Sequence, residues 1–343
     1  MQRTSGRVSG ADTLSVSLQN CYVRAASNES SQVADKLPDL FLTDAGDDDS
    51  MSVPFDACSR SSGNQDMSSA TPAATEPSAP GQLPSQLESI LNQAFRFQQE
   101  GKMDRALSTL ESALREAREN SEESGAKTRF VLAMMLPQYY LTSGAVDKAV
   151  EMLDAEVSFV SERLKSIKST GATEQKQYAN RVFVELRDYR TRLKLLGRPA
   201  PEIEVKEWIS GEPATLATLR GQVVLLEFWA TWCKPCEQMF PKLKQLDEEY
   251  RAGGLNVMAL TRHYLAYRGT PEAQADELNL MRKMVNDHAL IFRVGVSEDE
   301  RTQDLYGAAG VPTMAIIDRA GLVRHFYDGD EERVREILQA CIG

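Results

Sequence analysis

Apolar residues first fall into a sustained pattern near residue 85. Leu87, Ile90, Leu91 and Ala94 recur at three- and four-residue intervals, the spacing of one buried helix face, and Phe97 continues the stripe. Gly101 interrupts it, and Ala106, Leu107, Leu110, Ala113 and Leu114 restart it. The punctuation returns downstream: "GKMDRALSTL" at 101–110 and "GAVDKAVEML" at 144–153 share Gly, Asp, a basic residue, Ala and Leu. Glycine at these points suits a tight turn between antiparallel helices, because it tolerates positive φ. A further helix is expected over 173–196, and Pro137 is expected to kink the helix that contains it.

After "LGRPAPEIEV" (196–205) the period changes. "VVLLEFWA" (223–230) is a continuous apolar run of strand length, as a central strand buried on both faces requires. "LNVMALT" (255–261) and "IFRVGV" (291–296) repeat the pattern. "TMAIID" (313–318) and "LVRHFY" (322–327) flank a hairpin turn, and a short extra strand fits 203–209. Helical patterns fill 234–252, 271–287, 298–306 and 330–341. The order predicts an α/β fold, a mixed central sheet with helices on both faces.

Residues 1–84 show no such period. Stretches such as "DAGDDDSMS" and "SSATPAATEPSAPGQLP" bury too little to offset chain entropy, so a disordered leader is expected, with "DKLPDLFL" as a short apolar island. Three segments follow: a leader (1–84), an all-α region (85–197) and an α/β domain (198–343). Net charge is −11, with no strongly basic segment, so a nucleic-acid partner is not favoured. No apolar run reaches the length of a membrane-spanning helix. The first twenty residues lack the apolar core of a signal peptide, so a cytosolic location is the expectation from sequence.

Five cysteines are too few for a disulfide scaffold. Cys21 and Cys58 lie in the polar leader and Cys341 is third from the end, whereas Cys233 and Cys236 share "FWATWCKPCEQMFP" (228–241). Cys233 follows a buried strand and opens a helix, where unpaired backbone N–H groups and the helix dipole favour a thiolate. Cys236 lies one turn on, within reach of a mixed disulfide on Cys233. This casts Cys233 as nucleophile and Cys236 as resolving thiol. Pro235 sits in the first turn, where a missing N–H costs nothing. Trp232 is expected to rim an exposed Cys233 sulfur. The charge of Lys234 either lowers the thiol pKa or is merely solvated.

Rival readings of the pair are weaker. Zinc needs a second ligand pair, and His263, His288 and His325 are isolated. A two-residue loop closed by a structural disulfide removes little chain entropy. Peroxiredoxins place threonine three residues before their reactive cysteine, whereas Thr231 is two before Cys233. In the excursion at 261–289, Tyr264, Tyr267 and Arg268 either line the substrate side or cover the core.

The helical segment resembles a tetratricopeptide-type repeat, with Ala94, Phe97, Gly101, Ala106, Leu110 and Ala113 at matching offsets. It is read either as a groove for a peptide or protein partner or as a spacer. Residues 198–343 resemble the thioredoxin superfamily, and within it disulfide reductases of the TlpA/ResA type. The likeness rests on "RGQVVLLEFWATWCKPC", the upstream "RPAPEIEV" and "ATLATLRG", and "GAAGVPTMAIIDRAGLV".

The resemblance implies a redox-active Cys233–Cys236 disulfide and a Val311–Pro312 cis-peptide beside the sulfur. It also implies a disulfide-containing protein substrate, a separate thiol donor, no cofactor and a location outside the cytoplasm. Glu227 falls where the family keeps a buried acid. It is read either as a proton shuttle for Cys236 or as a locally paired residue. Met239 stands where ResA-type proteins carry glutamate, so that glutamate's role is not carried over. Two functions result: a thiol–disulfide oxidoreductase that reduces protein disulfides, or a non-catalytic adaptor whose repeats bind a partner.

Overall fold

The computed structural model describes residues 85–120, 123–167, 171–267 and 269–343. The leader at 1–84, its two cysteines and Arg268 lie outside these described residues.

Five helices come first: α1 (Ser85–Gln99), α2 (Met103–Glu119), α3 (Glu123–Thr142), α4 (Val146–Ile167) and α5 (Thr173–Leu195). Each packs on the next. The predicted stripe is their shared core: Leu87, Ala94, Ala106, Leu110, Leu132, Leu136, Leu153 and Leu186 are almost wholly buried. Gly101 and Gly144, at the α1–α2 and α3–α4 turns, have φ of 71° and 79°, as their placement between helices required. Helix α3 runs on through Pro137 without interruption.

One buried charge ties this region together. Glu156 on α4 is 1% exposed. Its Oε1 accepts from Arg118 Nε and Nη2 at 2.8 and 2.6 Å, and its Oε2 accepts from Arg129 Nε at 2.5 Å. The Arg129 guanidinium in turn lies 3.3 Å from the centre of the Phe159 ring.

The second half builds one six-stranded sheet from β1 (Glu207–Ser210), β2 (Val223–Phe228), β3 (Leu255–Arg262), β4 (Arg293–Ser297), β5 (Thr313–Ile317) and β6 (Val323–Phe326). Its order is β1-β4-β3-β2-β5-β6. Strands β2, β3 and β4 are parallel, and β1, β5 and β6 join antiparallel. Parallel pairs need crossovers, which α6 (Lys234–Tyr250) and α7 (Pro271–Asp287) supply. Two short helices complete the fold, α8 (Arg301–Tyr306) and α9 (Glu331–Ile342). The expected extra strand forms as β1, a few residues later than the apolar pattern suggested, and β4 likewise starts at Arg293.

No free linker separates the two halves. Directly after α5, Gly197 N–H donates to the Val323 carbonyl at 2.8 Å, and Val323 N–H donates to the Arg198 carbonyl at 2.9 Å. The segment after α5 is thereby stitched to the edge strand β6.

Removing Glu156 strands two guanidiniums, one of them buried. Breaking a buried ion pair from one side costs about 3–5 kcal/mol. Glu156→Ala is expected to lose about that much stability in urea titrations of the whole chain followed by far-ultraviolet circular dichroism. A loss below about 0.5 kcal/mol, the range of ordinary surface substitutions, contradicts this account of the helical core.

Candidate active site

Strand β2 is buried at every position. The chain leaves the sheet through Trp229 and Ala230, both 0% exposed, and turns into α6 at Cys233. Cys233 caps this helix: its Sγ accepts from Cys236 N–H at 3.2 Å. Pro235 occupies the first turn, where no donor is needed. Cys233 and Cys236 form a disulfide with Cα atoms 5.3 Å apart.

The expected exposed sulfur is corrected here. Cys233 is 2% exposed and Cys236 0% exposed, both within an apolar core cluster against which Trp232 packs. Trp232 packs edge-on against Tyr264, ring centres 5.5 Å apart. Lys234 points outward and pairs with Glu237 Oε2 at 2.5 Å, so its charge is partly answered within the first turn.

Glu227 lies beneath this pair. Alternation along β2 puts it on the face of Val223 and Leu225, which share a core with both cysteines. Its register neighbours are Ala259 on β3 and Met314 on β5. It is 0% exposed, and neither carboxyl oxygen has a hydrogen-bond partner. Burial therefore pushes its pKa well above the usual carboxylate range. The locally paired alternative for Glu227 is not what the structure contains. Met239, where the family glutamate is missing, is buried in the same apolar core.

Pro312 follows a cis peptide from Val311. Register fixes its place: the next residue, Thr313, pairs with Phe228, the last residue of β2 before the cysteine loop. Val311 packs against the cores on both sheet faces. Among the described residues, no hydrogen bond engages the Val311 N–H or carbonyl.

The second wall of the site carries no short sequence signature. Glu277 on α7 is 5% exposed, and its carboxylate accepts from the backbone N–H groups of Tyr264, Leu265 and Ala266, each at 3.0 Å. His263 Nδ1 lies 3.2 Å from the same carboxylate. This clamp sets the loop that holds Tyr264 against Trp232. Arg262 stacks 4.2 Å from the Tyr264 ring centre and donates to Gln303 Oε1 at 2.7 Å, while Gln303 Nε2 donates to the Tyr264 hydroxyl. The Tyr267 ring lies 5.5 Å from the same Arg262 guanidinium, and its hydroxyl donates to Glu300 Oε1 at 3.1 Å. Tyr264 touches the cysteine loop through Trp232. Glu277 was missed because its partners are backbone amides, which leave no trace in side-chain identity.

The remaining histidines stand apart from this site. His288 lies edge-on to Phe240, and burial pushes the pKa of His325 down to about 4. Among the described residues, no group of three His, Cys, Asp or Glu side chains is placed to hold a metal ion. No described helix is long and apolar enough to cross a membrane.

The second half of the chain is similar to known proteins. Residues 196–326 match the AhpC/TSA family. The thiol-disulfide oxidoreductase ResA of Bacillus thuringiensis (strain Al Hakam) is 30% identical over 139 residues, which cover 40% of this chain and 72% of that protein. The thioredoxin-like protein YneN of Bacillus subtilis (strain 168) is 32% identical over 133 residues, 39% of this chain and 71% of that one. Among solved structures, a thiol:disulfide interchange protein of the thioredoxin family from Chlorobium tepidum TLS aligns over 42% of this chain and 96% of its own, at 21% identity and a TM-score of 0.35. The chain belongs to the thioredoxin superfamily, among the ResA-like thiol-disulfide oxidoreductases.

Proposed function

We propose that the chain reduces disulfides in protein substrates, with Cys233 as nucleophile and Cys236 as resolving thiol. One observation carries the reading: Cys233 Sγ sits at the start of α6, accepts a backbone N–H and is already bonded to Cys236. Helix N-termini stabilise a thiolate there once the pair is reduced. The thiolate attacks one sulfur of the substrate disulfide, that bond breaks, and the partner sulfur leaves as a thiolate that takes up a proton. Cys236 then attacks Cys233, releasing the second substrate thiol. The substrate gains two electrons and the enzyme ends as its own disulfide. A separate thiol donor restores the dithiol.

The surrounding residues support this chemistry. Trp232 and Pro235 shape the sulfur's apolar surround, and Lys234 sits at its solvent side. Val311 offers an unengaged N–H and carbonyl beside Pro312, an edge to which an extended substrate can add as a strand. Glu227 is the group beneath the pair suited to take the proton of Cys236 as it attacks, because a carboxyl with a raised pKa exchanges protons nearer neutral pH.

Cys236→Ser cannot resolve the intermediate. Incubated reduced with insulin, this variant is expected to accumulate a mixed disulfide on Cys233 visible by mass spectrometry, while the parent turns insulin over with dithiothreitol as donor. No turnover by the parent and no adduct in the variant would sink the reading and leave the adaptor function.

Glu227→Gln tests the acid by two routes. Resolution of the mixed disulfide is expected to slow by about a hundredfold, the low end for loss of an acid–base group. Stability supplies the second. The folded pKa of Glu227 is raised, so its favourable contribution is full below the unfolded value of about 4.3 and is lost as pH rises toward the folded value. The glutamine variant should therefore gain stability over the parent, by an amount that widens from pH 5 upward and then levels off. A difference that stays constant from pH 5 to pH 9 contradicts the raised pKa.

A further inference from the structure

Helix α5 lies outside the stretch that matches the family, which begins at residue 196. It nevertheless reaches the substrate side of the site. Asp188 on α5 is 3% exposed. Its Oδ2 accepts from Ala309 N–H at 2.9 Å, and its Oδ1 is held by Arg187 Nε and Nη2 at 3.0 and 2.9 Å. Arg187 Nη2 also donates to Asp304 Oδ1 on α8 at 3.1 Å. One turn further along α5, Arg192 Nη1 donates to the Gly307 carbonyl at 2.7 Å.

The approach is close as well as polar. Gly307 has φ of 59°, and a Cβ there would lie 2.4 Å from the Asp188 carbonyl oxygen. The loop at 307–309 is therefore seated on the backbone of α5.

The same loop runs three residues on to Pro312, with Ala308 fully buried behind it. Helix α8, braced from one side by Arg187, holds Tyr264 from the other through Gln303. Both walls around Trp232 and the disulfide thus connect to a segment whose outer surface is fixed by α5.

We propose that Asp188 is a positioning residue for protein-disulfide substrates. Through Ala309 N–H it fixes the backbone leading to Val311, and so the edge on which the substrate strand docks. The helical region is then a structural part of the substrate site. This rests on the disulfide-reductase reading above and adds to it a residue that touches neither substrate nor sulfur.

The test uses the full chain and two substrates: insulin, which must dock as a polypeptide, and dithionitrobenzoate, which reacts with the reduced pair without docking. Asp188→Ala is expected to raise KM for insulin about tenfold, consistent with loss of a charge-assisted hydrogen bond. Its kcat should stay within twofold and its rate with dithionitrobenzoate should be unchanged. Asp188→Asn, which keeps an oxygen for Ala309 N–H, should recover most of the KM. Lys194→Ala, on the same helix as Asp188, cuts an exposed ion pair to Asp154 on α4 and should match the parent. Should Asp188→Ala not fold, Arg192→Ala removes the donor to Gly307 and carries the same expectation. An unchanged KM, equal slowing with both substrates, or an asparagine variant no better than alanine overturns the positioning role while the reductase reading stands. A parent inactive on both substrates overturns the reductase reading itself and the positioning role with it.

Discussion

Complete burial of β2 is the constraint on which the rest of the site depends. A strand covered on both faces can carry only apolar or neutral side chains, because an unpaired charge there is strongly disfavoured. Val223, Val224, Leu225, Leu226 and Phe228 meet that demand directly. Glu227 is the exception: neither oxygen finds a hydrogen-bond partner among the described residues, and burial raises its pKa well above the usual carboxylate range. Because β2 and β3 are parallel, the chain must cross over as a helix after β2. Cys233 caps the start of that helix. The same stretch of chain therefore supplies the helix N-terminus for the sulfur and the buried acid on the strand before it.

The helical half is packed into this arrangement as a rigid neighbour. Within its largely apolar core, the buried Glu156 is held by Arg118 and Arg129. Its last helix ends in backbone hydrogen bonds to β6, and its side chains reach Gly307 and Ala309. Joined in this way, the module meets the backbone that leads to Val311 and Pro312.

Local signals in the sequence carried the elements and the bonded cysteine pair. Strand periodicity located β2 and β3, glycines at 101 and 144 located the helix turns, and the strand–Cys–Pro–Cys–helix order located the site. An acid inside an apolar run already singled out Glu227. Contacts between distant segments were not legible. Asp188 and Ala309 are 121 residues apart, and Glu277 binds backbone amides that any sequence would offer. The burial of Cys233 was not legible for the same reason, because its core cluster is assembled from distant segments.

The central claim is that the start of α6 makes Cys233 the attacking thiolate. Alkylation of the fully reduced chain by iodoacetamide across pH 5 to 10, with each cysteine quantified by mass spectrometry, tests it most directly. Cys233 should react first, with an apparent pKa below the free-cysteine value of about 8.5, and Cys236 should lag behind it. Preferential labelling of Cys236, or a Cys233 that titrates at or above the free value, contradicts the account.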